Sequence, residues 1–71
     1  EVIEVLPFDR KRLKSALKTL DVGLLEIKKR GVDVEPQRLQ RQLRCRGVEN
    51  ATLLITRHRQ QTVAIIAKRS P

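Results

Sequence analysis

The chain has 71 residues, 39% of them hydrophobic, with 16 Lys+Arg against 8 Asp+Glu for a formal charge of +8. That is the size of one small domain. Its apolar runs fall far short of the roughly 20 residues that span a bilayer, and no secretory hydrophobic segment opens it. One cysteine, Cys45, and one histidine, His58, allow neither an internal disulfide nor a four-ligand zinc site. The lack of disulfides points to the cytoplasm. There is no Met, so residue 1 is not a translation start and the chain reads as a piece of a longer protein.

Val2-Ile3-Glu4-Val5-Leu6 is β-branched and stops at Pro7, which predicts a strand. Asp9 is placed to cap a helix, because its carboxylate can accept the free N–H groups of a first turn. Phe8 and Leu13 flank that cap at the spacing of a hydrophobic staple. Leu13, Ala16, Leu17 and Leu20 then recur at i, i+3, i+4 and i+7, one face of a helix from Arg10 to Leu20. Gly23 follows as its stop. Leu24-Leu25-Glu26-Ile27-Lys28 predicts a second strand, with a turn at Gly31. Pro36 suits the first position of a second helix. Leu39 and Leu43 mark that helix's buried stripe, and Gly47 ends it. Residues 51–57 and 62–67 predict two more strands, joined through His58-Arg59-Gln60-Gln61 as a hairpin.

The order is β-α-β-α-β-β. It predicts an α+β chain built as a two-layer sandwich, a mixed four-stranded sheet with two helices on one face. Alternation places Ile3, Val5, Leu25, Ile27, Leu53 and Ile55 toward the helices. Glu4, Glu26, Lys28, Thr56 and His58 fall on the open face. Leu54 and Ile66 also fall there, as a small secondary cluster or a docking patch.

The positive charge is not spread evenly. Lys11, Lys14 and Lys18 share the helix face away from Leu13 and Leu17, and Arg38, Arg41 and Arg44 lie opposite Leu39 and Leu43. Lys28-Lys29-Arg30 stand together at a strand end. Arg57, Arg59, Lys68 and Arg69 follow with no acid among them. A polar outer face is all that one amphipathic helix needs. Three single-signed stretches together raise the potential for a polyanion. Without exposed bulky apolar residues on the helices, a membrane surface is a poorer partner. With no Tyr or Trp and Phe8 used as a staple, no aromatic platform stacks bases. Recognition of a structured RNA backbone by charge and shape remains, without base-specific readout.

No motif carries catalysis or metal binding. The three glycines are too far apart for a nucleotide or S-adenosylmethionine loop. His58 reads as an exposed loop residue and Cys45 as a half-buried helix residue. Ser15 and Ser70 have no base partner, and the acids show no paired arrangement.

The stretches Glu-Val-Leu-Pro-Phe-Asp (4–9), Leu-Glu-Ile-Lys-Lys-Arg-Gly-Val-Asp-Val (25–34), Glu-Pro-Gln-Arg-Leu (35–39) and Ala-Thr-Leu-Leu-Ile-Thr-Arg (51–57) form a pattern. It resembles the THUMP-like domain at the C-terminus of a group of bacterial class I S-adenosylmethionine-dependent methyltransferases, over nearly the whole of residues 1–71. The resemblance implies a C-terminal domain that presents tRNA or rRNA to a separate catalytic domain of the same parent chain. That domain, not this one, would hold S-adenosylmethionine. Phosphates would then be held by Lys28, Lys29 and Arg30 with Arg38, Arg41 and Arg44, and the surface extended by Lys11, Lys14 and Lys18. The alternative is a structural role, packing on the methyltransferase body or self-associating without nucleic acid.

Overall fold

The computed structural model describes residues 2–68; Arg69 and Ser70, named above, lie outside them. The elements are β1 (Val2–Pro7), α1 (Arg10–Thr19), β2 (Val22–Arg30), α2 (Pro36–Leu43), β3 (Glu49–His58) and β4 (Gln61–Lys68). This is the β-α-β-α-β-β order and the α+β class that the sequence predicts. The four strands form one sheet in the order β1-β4-β3-β2. β2 and β3 are parallel, while β4 is antiparallel to both β3 and β1. It follows that β1 runs parallel to β2 from the opposite edge. The terminal hairpin fills the gap between them.

Both helices start as their sequences dictate. Asp9 accepts hydrogen bonds from the backbone N–H of Lys11 (2.9 Å) and Arg12 (3.3 Å). Glu35 accepts from the N–H of Gln37 at 3.2 Å, with Pro36 in the first turn. Their ends differ from expectation. α1 closes on Leu20, and Asp21 turns the chain at φ 57°, so Gly23 lies inside β2. α2 stops at Leu43, because Arg44 is left-handed (φ 47°, ψ 56°). Gly47 therefore lies beyond the helix, and so does Cys45. Both glycines serve a close crossing of two backbones. A Cβ on Gly23 would fall on the Gly47 carbonyl, and one on Gly47 would fall on the backbone of Asp21. The crossing is tied by Gly47 N–H to Val22 O (3.0 Å) and Glu49 N–H to Asp21 O (2.8 Å).

Leu13 and Leu17 of α1 and Leu39 and Leu43 of α2 are buried in one cluster with Leu25, Ala51, Leu53, Ile55, Ala64 and Ile66. Phe8 packs half-buried against the same cluster. Gln40 fixes α2 to the sheet edge by donating its side-chain N–H to Leu25 O at 2.9 Å.

The register corrects three face assignments. Leu53 pairs with Ile66 and Leu54 with Ile65. Ile66 is thus fully buried under the helices, and Ile65 is Leu54's neighbour on the open face. In β1, Glu4 pairs with Ile66 and Val5 with Ile65. A bulge between Val2 and Glu4 exchanges the faces that simple alternation assigns, since a one-residue slip turns every side chain over. Val5, expected inside, is 59% exposed. Ile3 and Glu4 instead line a groove with Arg12 and Ser15 of α1.

Candidate nucleic-acid interface

The cations named from the sequence separate into two sets. The first lies on the helix layer. Lys14 of α1 meets Arg38, Arg41 and Arg44 of α2 around one open depression. Lys14 and Arg44 also belong to a neighbouring cavity of about 500 Å³, where Lys18 and Arg46 join them. The amphipathic spacing of each helix aims its leucines at the sheet and its cations outward, and packing α1 beside α2 makes two stripes one surface. Lys11 is exposed on α1 but lines neither depression.

The second set is the edge strand β2. Lys28 pairs with Leu54 and Arg30 with Thr56, so both stand on the open sheet face. Lys29 pairs with buried Ile55 and points to the helix side. Lys28 is partly neutralised by Glu26, whose carboxylate lies 3.8 Å from its Nζ. At about 3.3 Å per residue, Arg30 is about 26 Å along β2 from Val22, which lines the cavity. Arg30 at the far end of β2 therefore stands apart from the cations of the cavity, Lys14, Lys18, Arg44 and Arg46. An edge strand carrying three consecutive cations is also protected from pairing with a stray strand.

The helix-layer set is strongly positive after its local compensations. Two helix C-termini contribute about −0.5 each and Asp21 contributes −1. Against these stand six cations, Lys14, Lys18, Arg38, Arg41, Arg44 and Arg46. About +4 remains, and none of the six forms an ion pair with a described carboxylate.

Helical spacing does not mark Arg46 as a candidate. A helix running on to Gly47 takes it out of the Arg38/Arg41/Arg44 stripe, whereas the left-handed Arg44 ends the helix and returns Arg46 to the cavity. Asp21 reaches the same wall through its own left-handed turn. Cys45 is half-buried there, and burial raises its thiol pKa above the ordinary value despite the neighbouring arginines. His58 is exposed at the end of β3, paired with Gln61, rather than in a loop. Among the described residues no group of three or more metal-ligating side chains gathers, and no helix is long and apolar enough to cross a membrane.

Residues 1–69 match the model of the THUMP domain-like family. The chain belongs to that family. Over 57 residues it is also 47% identical to two proteins of Mycobacterium tuberculosis, from strains CDC 1551 and H37Rv. Both are described as uncharacterized S-adenosylmethionine-dependent methyltransferases. The aligned segment takes in 80% of this chain but 16% of each relative, so this THUMP-like chain corresponds to a small part of their length. No solved structure matches it.

Proposed function

We propose that this chain is the accessory RNA-binding domain of an S-adenosylmethionine-dependent methyltransferase of the cytoplasm. It stands at the C-terminal end of that protein and presents structured RNA, tRNA or rRNA, to a separate catalytic part. In this reading the chain carries no catalytic residue, and S-adenosylmethionine belongs to the rest of the polypeptide. The description of both relatives as S-adenosylmethionine-dependent methyltransferases supports the methyltransferase half. The observation that carries the RNA half is the helix layer's excess of unpaired cations around two adjoining depressions.

The test is a salt titration of the chain against a labelled tRNA pool and a matched duplex DNA. Binding that persists near ~150 mM salt, where the Debye length is about 8 Å, and that favours RNA is the expected result. Log affinity falls by about 0.9 per log unit of salt for each duplex phosphate contact. Replacing Arg38, Arg41 and Arg44 together by Ala should therefore flatten the slope by up to about 2.7. A folded triple variant with unchanged affinity and slope refutes the role of that face. The parallel Lys28/Lys29/Arg30→Ala variant reports whether the sheet edge contributes a second contact.

A second reading rests on the open sheet face. Val5, Ile65 and Leu54 form an apolar row across three strands, and Val2 beside them is 60% exposed. Such a face suits packing on the methyltransferase body or on a second copy. Leu54→Thr with Ile65→Thr should then lower the melting temperature of the full-length protein more than that of this chain. Equal shifts in the two count against it.

A further inference from the structure

The cavity between the C-terminal ends of α1 and α2 has a more specific composition than phosphate binding requires. Its lining sets Lys14, Lys18, Arg44, Arg46 and Asp21 around half-buried Cys45 and the outermost atoms of Leu17, Val22 and Leu43, each at most 3% exposed. Inorganic phosphate needs no apolar lining, and an aliphatic ligand needs neither the cations nor the carboxylate. A nucleotide needs all three: cations for the phosphate, an apolar surface for the base, and a polar group at the base edge. The volume, about 500 Å³, lies within the range of small-ligand sites.

We propose that this cavity takes a single unpaired guanine nucleotide of an RNA strand. The inference rests on the RNA-binding reading above and adds the position and the base. An ionised carboxylate only accepts hydrogen bonds. Guanine presents two adjacent donors, a ring N–H and an amino group, on its Watson–Crick edge. Adenine and cytosine present the amino group alone and uracil a ring N–H alone. The Asp21 backbone is fixed, while its carboxylate is exposed. Its N–H donates to Lys18 O (3.1 Å), its C=O accepts from Glu49 N–H (2.8 Å), and its φ is 57°. Lys14 and Arg44, common to the cavity and the open depression, carry the strand's next phosphates toward Arg38 and Arg41. With no aromatic ring to stack the base, an isolated mononucleotide binds weakly, and the flanking phosphates supply most of the affinity.

The experiment uses the whole chain, with amide NMR titrations of GMP, AMP, CMP, UMP and inorganic phosphate to millimolar concentration. N-ethylmaleimide alkylation of Cys45, the chain's one thiol, is followed in parallel. RNA hairpins bearing one unpaired G or one unpaired A are then compared. GMP should shift the amides of Val22, Cys45, Arg46 and Gly47 and slow alkylation at least threefold. The G hairpin should bind at least tenfold more tightly than GMP and severalfold more tightly than the A hairpin. Asp21→Asn, tolerated in a left-handed turn, should bring the G-to-A ratio to about one while hairpin binding persists. Equal responses to all five small probes, or equal affinity for the two hairpins, overturn the inference. GMP binding as tight as the G hairpin overturns its assignment to a strand. If hairpin binding persists without base preference and remains sensitive to Arg38, Arg41 and Arg44, the cavity inference alone has failed. If no RNA binds, the underlying reading has failed with it.

Discussion

Gly47→Ala should destabilise the chain far more than its size suggests. A Cβ at this position would overlap the backbone carbonyl group of Asp21 and approach the Asp21 carboxylate to 2.6 Å. Neither segment can move freely, since Gly47 N–H is bonded to Val22 O and Glu49 N–H to Asp21 O. Forcing extra volume into a packed site costs about 1–3 kcal/mol. Losing one of the tying hydrogen bonds adds about 1 kcal/mol. The smaller entropy of an unfolded chain carrying Ala offsets about 0.4–1 kcal/mol. The net loss is about 1–3.5 kcal/mol, against a total of about 4–10 kcal/mol for a chain of this length. In urea, with a slope of about 1 kcal/mol per molar, the midpoint should fall by about 1–3.5 M. Gly31→Ala is the control. Gly31 has φ 67° with nothing within 4 Å of an added Cβ, so only the left-handed conformation is penalised, by about 1 kcal/mol. If Gly47→Ala shifts the midpoint no more than Gly31→Ala does, the two backbones do not cross at the contact distances that the added Cβ would violate.

Arg59 and Gln60 both have positive φ (51° and 67°) in the two-residue turn between β3 and β4. Arg59→Asn with Gln60→Gly should stabilise the chain by about 1 kcal/mol and raise its melting temperature by about 4–8 °C in calorimetry. Ile66→Ala should cost about 2–5 kcal/mol in chemical denaturation, whereas Ile65→Ala on the open face should cost about 1 kcal/mol; the reverse order would invert the register. Because burial raises the Cys45 pKa in the folded state, the folded chain holds its thiol proton longer than the unfolded chain. Its contribution to stability is complete below the ordinary thiol value of about 8.5 and is lost as pH rises through the raised value. Urea midpoints of the natural chain and Cys45→Ala, compared from pH 7 upward, should show this extra decline only in the natural chain.

The element order was legible because each boundary has a local cause: Asp9 and Pro36 at helix starts, leucines at helical spacing, β-branched runs in the strands. The face of β4 was harder. Val63, Ala64, Ile65, Ile66 and Ala67 are apolar on both sides, so alternation says nothing about which side is buried. The hairpin held the missing information. Pairing His58 with Gln61 across two turn residues places Ile66 opposite Leu53. The β1 bulge and the left-handed Arg44 have no comparable signal, and the left-handed Asp21 only the weak one that aspartate tolerates that conformation. These concealed features had unequal effects on the candidate site. The outward helical cations followed from spacing alone. Arg46 and Asp21 entered the cavity only through these left-handed backbone turns, and the Lys28-Lys29-Arg30 run was divided by the pleat.

The pairing of Val2 with Ala67 has a consequence for tethering. It brings the start of β1 and the end of β4 side by side, at the end of the sheet where β2 begins and the cavity opens. Three interstrand gaps of about 4.8 Å separate β1 from β2, a lateral distance of about 14 Å. Val2 and Lys68, the first and last described residues, thus lie at one corner, at the cavity end of the sheet. A neighbouring body attached there could reach a strand lying in the cavity without a long linker. The opposite end, with Arg30 and the Arg59-Gln60 turn, would project away from that body.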